Sequence, residues 1–298
     1  MVTQALSYNF DSGTSTAMLY ESVVLAGDKE RYLDISSFLS GVAEVTRTLG
    51  TVVAGFFVHG SLELTYYIAI GLSVLSLVMI FFMREPVQKG RAEKPSLSAI
   101  VGMVKVEWQL HPSLFAWMGV FQLVGTLMCM FYFYYQKELP DLQGWQISSL
   151  MLVGSGVNLL AVYLASQLGK RWRIAQLYPI LTVLTGVSLL FVSLGTPLAF
   201  LSIYLVTNAF YAFYQPIFYN ELQENLPSPV RATMLSVNSM LFSLSMIVIF
   251  PLTGWLLDRL GFVATFFGLG GVLLLLGFLL LPVLRGLIQK IKEERLSV

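Results

Sequence analysis

LYESVVLAGDKER, residues 19–31, and FYNELQENLPSPVR, residues 218–231, are the two stretches whose comparison sets the architecture. In each, a Tyr stands just before an acid, Glu21 or Glu221, and an Arg, Arg31 or Arg231, comes ten residues after it. Each Arg then leads into a long apolar stretch carrying a Gly at nearly the same distance, Gly55 or Gly254. The pattern is one unit used twice: helix, short charged turn, helix. The two copies lie about 200 residues apart, the scale of half a twelve-helix transporter built from parallel repeats.

Composition places this unit in a membrane. The 298 residues are 56% hydrophobic and 12% charged, with a mean hydropathy of +0.73. That is about half the charge of a soluble domain. A net charge of +1 gives no electrostatic reason to expect nucleic acid. The single cysteine, Cys129, sits in an apolar stretch and reads as packing.

Nine stretches reach the roughly 20 apolar residues that a bilayer requires of a helix. They are approximately 4–25, 36–58, 62–83, 114–135, 146–168, 174–195, 197–220, 233–257 and 261–284. Backbone groups cannot go unpaired in hydrocarbon, and runs of this length favour helices over barrel strands. An odd number of spans puts the termini on opposite sides. With the C-terminus cytoplasmic, 16 of the Lys and Arg residues fall on the inner side and only Lys137 and Arg259 on the outer. The positive-inside rule therefore predicts a multi-pass protein of the cell membrane, the bacterial cytoplasmic membrane being the natural setting, with its C-terminus cytoplasmic and its N-terminus outside. The expected architecture is an all-α polytopic bundle with a two-half pseudo-repeat. Residues 1–83 carry three spans of the first half, 84–113 form the cytoplasmic connection, and 114–298 form the six-span second half.

Three further segments carry a family resemblance. The run from Phe10-Asp11-Ser12-Gly13-Thr14 to Leu19-Tyr20-Glu21 resembles the fourth helix of bacterial major facilitator superfamily transporters. Pro229-Val230-Arg231-Ala232-Thr233, with Pro251-Leu252-Thr253-Gly254-Trp255, Asp258 and Gly261, is similar to the loop before the eleventh helix and the segment after it. In that register the chain corresponds to helices four to twelve, as an N-terminally truncated member. Two departures matter. The stretch Gly50-Thr51-Val52-Val53-Ala54-Gly55 lacks the Pro common in helix five of drug–proton exchangers, so no motif supports drug antiport. In Ser166-Gln167-Leu168-Gly169-Lys170-Arg171 the Gly, Lys and Arg of the family's basic loop match and its acidic position does not; a basic inner-loop anchor explains the residues as well.

Polar residues within spans are the candidates for mechanism, because an unpaired charge at the bilayer centre costs about 2.5–3.5 kcal/mol or more. Asp11 is either a protonatable group on the transport path or a residue near the outer interface. Glu44 and Arg47, three positions apart, share a helix face and can neutralise each other. Glu21 with Arg31, and Glu221 with Arg231, flank inner helix ends, where they would latch one half to a neighbouring helix in one state or simply anchor it. Asn208, Tyr211 and Gln215 form one stripe on the seventh span, beside Pro216. The resemblance makes this helix ten, which lines the central cavity, and makes the fourth span, with Gln122, helix seven. Many rings and few charges favour an amphipathic or hydrophobic solute.

An intramembrane enzyme is the less favoured class. His59 and His111 lie outside the spans, and the chain has no His-Glu-x-x-His, nucleotide-loop or Gly-x-Ser-x-Gly motif. The expected function is secondary active transport of a small solute by alternating access, with proton-coupled efflux as one form. It calls for no cofactor or metal, and its partners are the bilayer, the solute and protons. The alternative is a non-transporting remnant or membrane partner of a transporter.

Overall fold

A computed structural model of the chain describes residues 15, 17–57, 62–83, 97–138, 144–226 and 231–296. Among them every long element is a helix and none is a strand. The elements are α1 (residues 17–25), α2 (Tyr32–Phe57), α3 (Leu62–Phe82), α4 (Leu97–Leu110), α5 (Pro112–Tyr134), α6 (Gly144–Leu168), α7 (Ile174–Leu190), α8 (Pro197–Asn225), α9 (Arg231–Leu260) and α10 (Phe262–Leu296). Apart from α4, each coincides with an apolar stretch expected to span, because in hydrocarbon a helix alone pairs every backbone group within its own segment.

Helix starts and turns obey local chemistry. Pro112 and Pro197 occupy first helical positions, where their missing N–H costs nothing. Thr196 caps α8 by accepting from the Ala199 N–H at 3.3 Å. Gly261 alone links α9 to α10, and its φ of +80° is one that a side chain rarely adopts.

The core is centred on α5, α7, α8 and α10. Phe121 stacks on Tyr178 at 4.1 Å and on Phe218 at 4.6 Å, and Trp117 lies 5.1 Å from Phe218, so rings from α5, α7 and α8 form one cluster. α7 and α10 approach through glycines, as membrane helices do where small residues let backbones meet. A Cβ on Gly186 would lie 2.9 Å from the Gly270 carbonyl oxygen, and one on Gly277 would run into a Val183 methyl.

α2 packs along α6 and also touches α8, whereas α3 rests chiefly on α2. None of the span in α3 is buried, and Tyr66, Phe81 and Phe82 are exposed. A surface this apolar is satisfied by lipid. Seven of the described helices are long and apolar enough to cross a membrane. The chain is a polytopic all-α membrane bundle.

Two features differ from the sequence expectation. Within residues 84–113, expected as a connection without a helix, lies α4, which places Met103 and Val104 against the core and Trp108 at 4.9 Å from Phe115. At fourteen residues, with Lys105 and Glu107 among them, it is too short and too polar to read as a span. α10 also continues well past its apolar stretch, where Ser113 at the start of α5 donates to Glu294 Oε1 at 2.6 Å.

Candidate functional site

The junctions α1–α2, α6–α7 and α8–α9 meet at one end of the bundle through charged side chains. Arg231, at the start of α9, pairs with Glu21 on α1, caps the Leu226 carbonyl at 3.0 Å and lies 4.3 Å above the Tyr20 ring. Lys170 in the α6–α7 turn pairs with Asp34 on α2 at 2.7 Å. Gly169 permits this approach: a Cβ there would sit 2.9 Å from Ile217 and 3.0 Å from Leu33. Glu221 on α8 accepts from the Ile174 N–H at 2.7 Å, and Arg173 stands 3.8 Å from Glu224.

The repeated acid–Arg units therefore do not close on themselves. Arg31 stands 3.9 Å from Asp28, Glu221 satisfies the first turn of α7, and Arg231 crosses to Glu21. Sequence spacing marks Glu21, Arg31, Glu221 and Arg231 but has no means of exchanging their partners. Asp34 carries no such mark, although its place in the first turn of α2 is a favourable one for an acid.

A second polar cluster lies midway along α2, on the side that packs on α6. Arg47 donates to Glu44 from Nε at 3.1 Å and from Nη2 at 2.8 Å, the local pairing their spacing predicts. Asn158 on α6 adds a bond to Glu44 Oε1 at 3.2 Å, and Thr48 bonds to Ser155 on α6. Asn158 is not legible as a partner in the sequence, because it comes from a helix more than a hundred residues away.

The cavity candidates are placed unevenly. Asp11 lies outside the described residues. Gln122 on α5 donates to Asn238 on α9 at 2.9 Å, and Asn238 is fully buried. Asn208, Tyr211 and Gln215 are all half-buried on α8, and Tyr211 meets Tyr214 edge-on at 5.4 Å. The hydrogen bond of Gln122 goes to Asn238 on α9 rather than to the α8 stripe. α8 runs unbroken through Pro216. Along the α2–α6 seam a groove of about 480 Å³ runs past Ser37, Val42, Val45, Leu159 and Tyr163.

Membrane-length helices gathered at one end by charge pairs, with a polar cluster midway along α2, define a multi-pass membrane protein built to hold polar groups inside a bilayer. The sequence model of the Major Facilitator Superfamily matches residues 10–249 and again residues 140–296, and the chain belongs to that family. The two matches overlap, as happens when the halves of a duplicated family model resemble each other. No curated protein matches the chain. Membrane transport of a solute is the function that membership gives it.

Proposed function

We propose that the chain moves a small amphipathic solute by alternating access, with the end bearing Glu21, Arg231, Asp34 and Lys170 as the cytoplasmic gate. The observation that carries this reading is the partnering of charges across the chain. Both ion pairs join the N-terminal helices to the C-terminal ones, and both lie at the same end. Such contacts are made in one state of a rocking pair of bundles and broken in the other. The 16-to-2 distribution of Lys and Arg supports a cytoplasmic placement of this end and of the C-terminus. Residues 1–83 and 114–298 act in this reading as the two rocking units, joined by 84–113. Gln122, Asn208, Tyr211 and Gln215 are its cavity residues. Protons are its coupling ion, and Asp11 is the carboxyl that would carry them.

The experiment is a reversible lock. In a Cys129→Ser background, Asp34→Cys and Lys170→Cys are joined by a short, reducible thiol-specific cross-linker in proteoliposomes, and proton-gradient-driven flux of a fluorescent amphipathic solute is monitored. Cross-linking should abolish flux and reduction should restore it. Flux that persists in the cross-linked protein refutes the gate, and absence of flux from the unmodified protein refutes transport in favour of a partner role.

A further inference from the structure

The groove between α2 and α6 has an apolar length and a charged mouth. Phe38, Val42 and Val45 of α2 and Leu159 and Tyr163 of α6 wall its volume of about 480 Å³. All of these but Leu159 are exposed, so the groove opens outward from the packed core. Its lining runs from Asp34 to Thr46, about 18 Å of α2 at a rise of roughly 1.5 Å per residue. One leaflet supplies about half of a hydrocarbon core that is about 30 Å thick. The groove therefore matches the reach of an acyl chain within a single leaflet.

Its polar atoms are unevenly satisfied. Thr46 donates to the Val42 carbonyl at 2.8 Å, and Ser166 donates to the Tyr163 carbonyl at 2.8 Å. The hydroxyl of Ser37, a lining residue only 5% exposed, has no partner among the described residues. Ser37 stands three positions from Asp34, on the same helix face and so near the mouth. At that mouth Lys170 holds Asp34 at 2.7 Å, and Arg173 in the same turn stands 3.8 Å from Glu224. Both acids are thus matched by cations. Arg171, exposed between Lys170 and Arg173, makes no ion pair among the described residues. Trp172 beside it is exposed, as suits a ring at headgroup level.

We propose that this groove seats an acyl chain of an anionic phospholipid, whose phosphate is held by Arg171 and Lys170 and whose neighbouring oxygens accept from Ser37. The chain covers apolar walls that no helix covers, and the phosphodiester meets the one unmatched cation of the turn. An ammonium headgroup gains less, because Asp34 and Glu224 are already taken. On the cytoplasmic placement of this end proposed above, the lipid comes from the inner leaflet, where basic pockets between helices take anionic headgroups. Since α2 and α6 both wall the groove, a bound lipid favours the arrangement in which they pack together. That consequence rests on the transport reading; the binding does not.

The test is native mass spectrometry of the whole chain in detergent, with equal amounts of phosphatidylglycerol, phosphatidylethanolamine and phosphatidylcholine carrying the same palmitoyl and oleoyl chains. Phosphatidylglycerol should be retained at least fivefold over either of the others. Arg171→Gln, at an exposed site that does not threaten folding, should bring the three within twofold. Ser37→Ala should lower phosphatidylglycerol retention about twofold. Val42→Trp, which fills the groove from a half-exposed position, should lower it at least fivefold, whereas Leu72→Trp on the exposed α3 should leave it unchanged. Equal retention of the three lipids, a preference for phosphatidylethanolamine, or a phosphatidylglycerol preference that survives Arg171→Gln overturns the proposal. So does unchanged retention in Ser37→Ala or Val42→Trp, or an equal loss in Leu72→Trp. Selective retention by a chain that shows no flux overturns the transport reading and leaves the lipid site standing.

Discussion

Arg231 pairs with Glu21 across 210 residues of chain, and both side chains are nearly withdrawn from solvent, at 9% and 15% exposure. Removing one partner of such a pair leaves the other desolvated without its counter-charge, which costs about 3–5 kcal/mol. Glu21→Gln should therefore lower the thermal unfolding temperature in detergent clearly, and Arg231→Gln should do so by a similar amount. The exchange Glu21→Arg with Arg231→Glu should recover part of the loss. Recovery no better than the sum of the two single changes would show that the pair is not energetically coupled.

The glycine contact between α7 and α10 has a built-in control. A methyl on Gly186 meets the Gly270 carbonyl oxygen and the Leu274 backbone nitrogen at 2.9 Å, whereas one on Gly271 meets nothing within 4 Å. Backbone atoms cannot rotate away, so Gly186→Ala should destabilise by about 1–3 kcal/mol through helix separation. Gly271→Ala should stay within about 0.5 kcal/mol of the parent. Equal effects at the two positions, read by thermal unfolding, would dismiss the close approach.

The Gln122–Asn238 bond joins α5 to α9, and the other amide atom of Asn238, Nδ2, has no partner among the described residues. Gln122→Leu strands the Asn238 carbonyl as well, at a cost of about 1–3 kcal/mol. Changing both to Leu should be nearly neutral for stability, because apolar replacement of both partners leaves nothing unsatisfied. If Asn238 belongs to the solute path, the double variant should remain folded and lose flux, which liposome uptake measures.

Topology is checked at exposed turns. Thr196 is exposed at the α7–α8 turn, while Glu30 and Arg171 are exposed at the opposite end. In a Cys129→Ser background, Thr196→Cys should react with an impermeant maleimide added outside intact cells, and Glu30→Cys and Arg171→Cys should react only after permeabilisation. The reverse pattern would invert the orientation inferred from charge.

The apolar helices, and several of their starts, are legible in the chain alone. A helix in a bilayer is a local solution: length, hydropathy, Pro112 and Pro197 at starts and Gly261 at a turn all act within a few residues of where they stand. The Glu44–Arg47 pair is legible for the same reason, since three residues make less than one turn. α4 is not, because its fourteen residues are too few to span and only its packing on α5 and α9 shows that it is an element of the bundle. The partners of Arg231, Glu44 and Gln122 lie beyond the sequence as well. Each comes from a helix more than a hundred residues distant, and packing alone brings Glu21, Asn158 and Asn238 within reach. The repeat marks Arg231, and the tertiary structure chooses its carboxylate. Spacing along a chain fixes neighbours on one helix, whereas a contact between helices depends on where every intervening element packs.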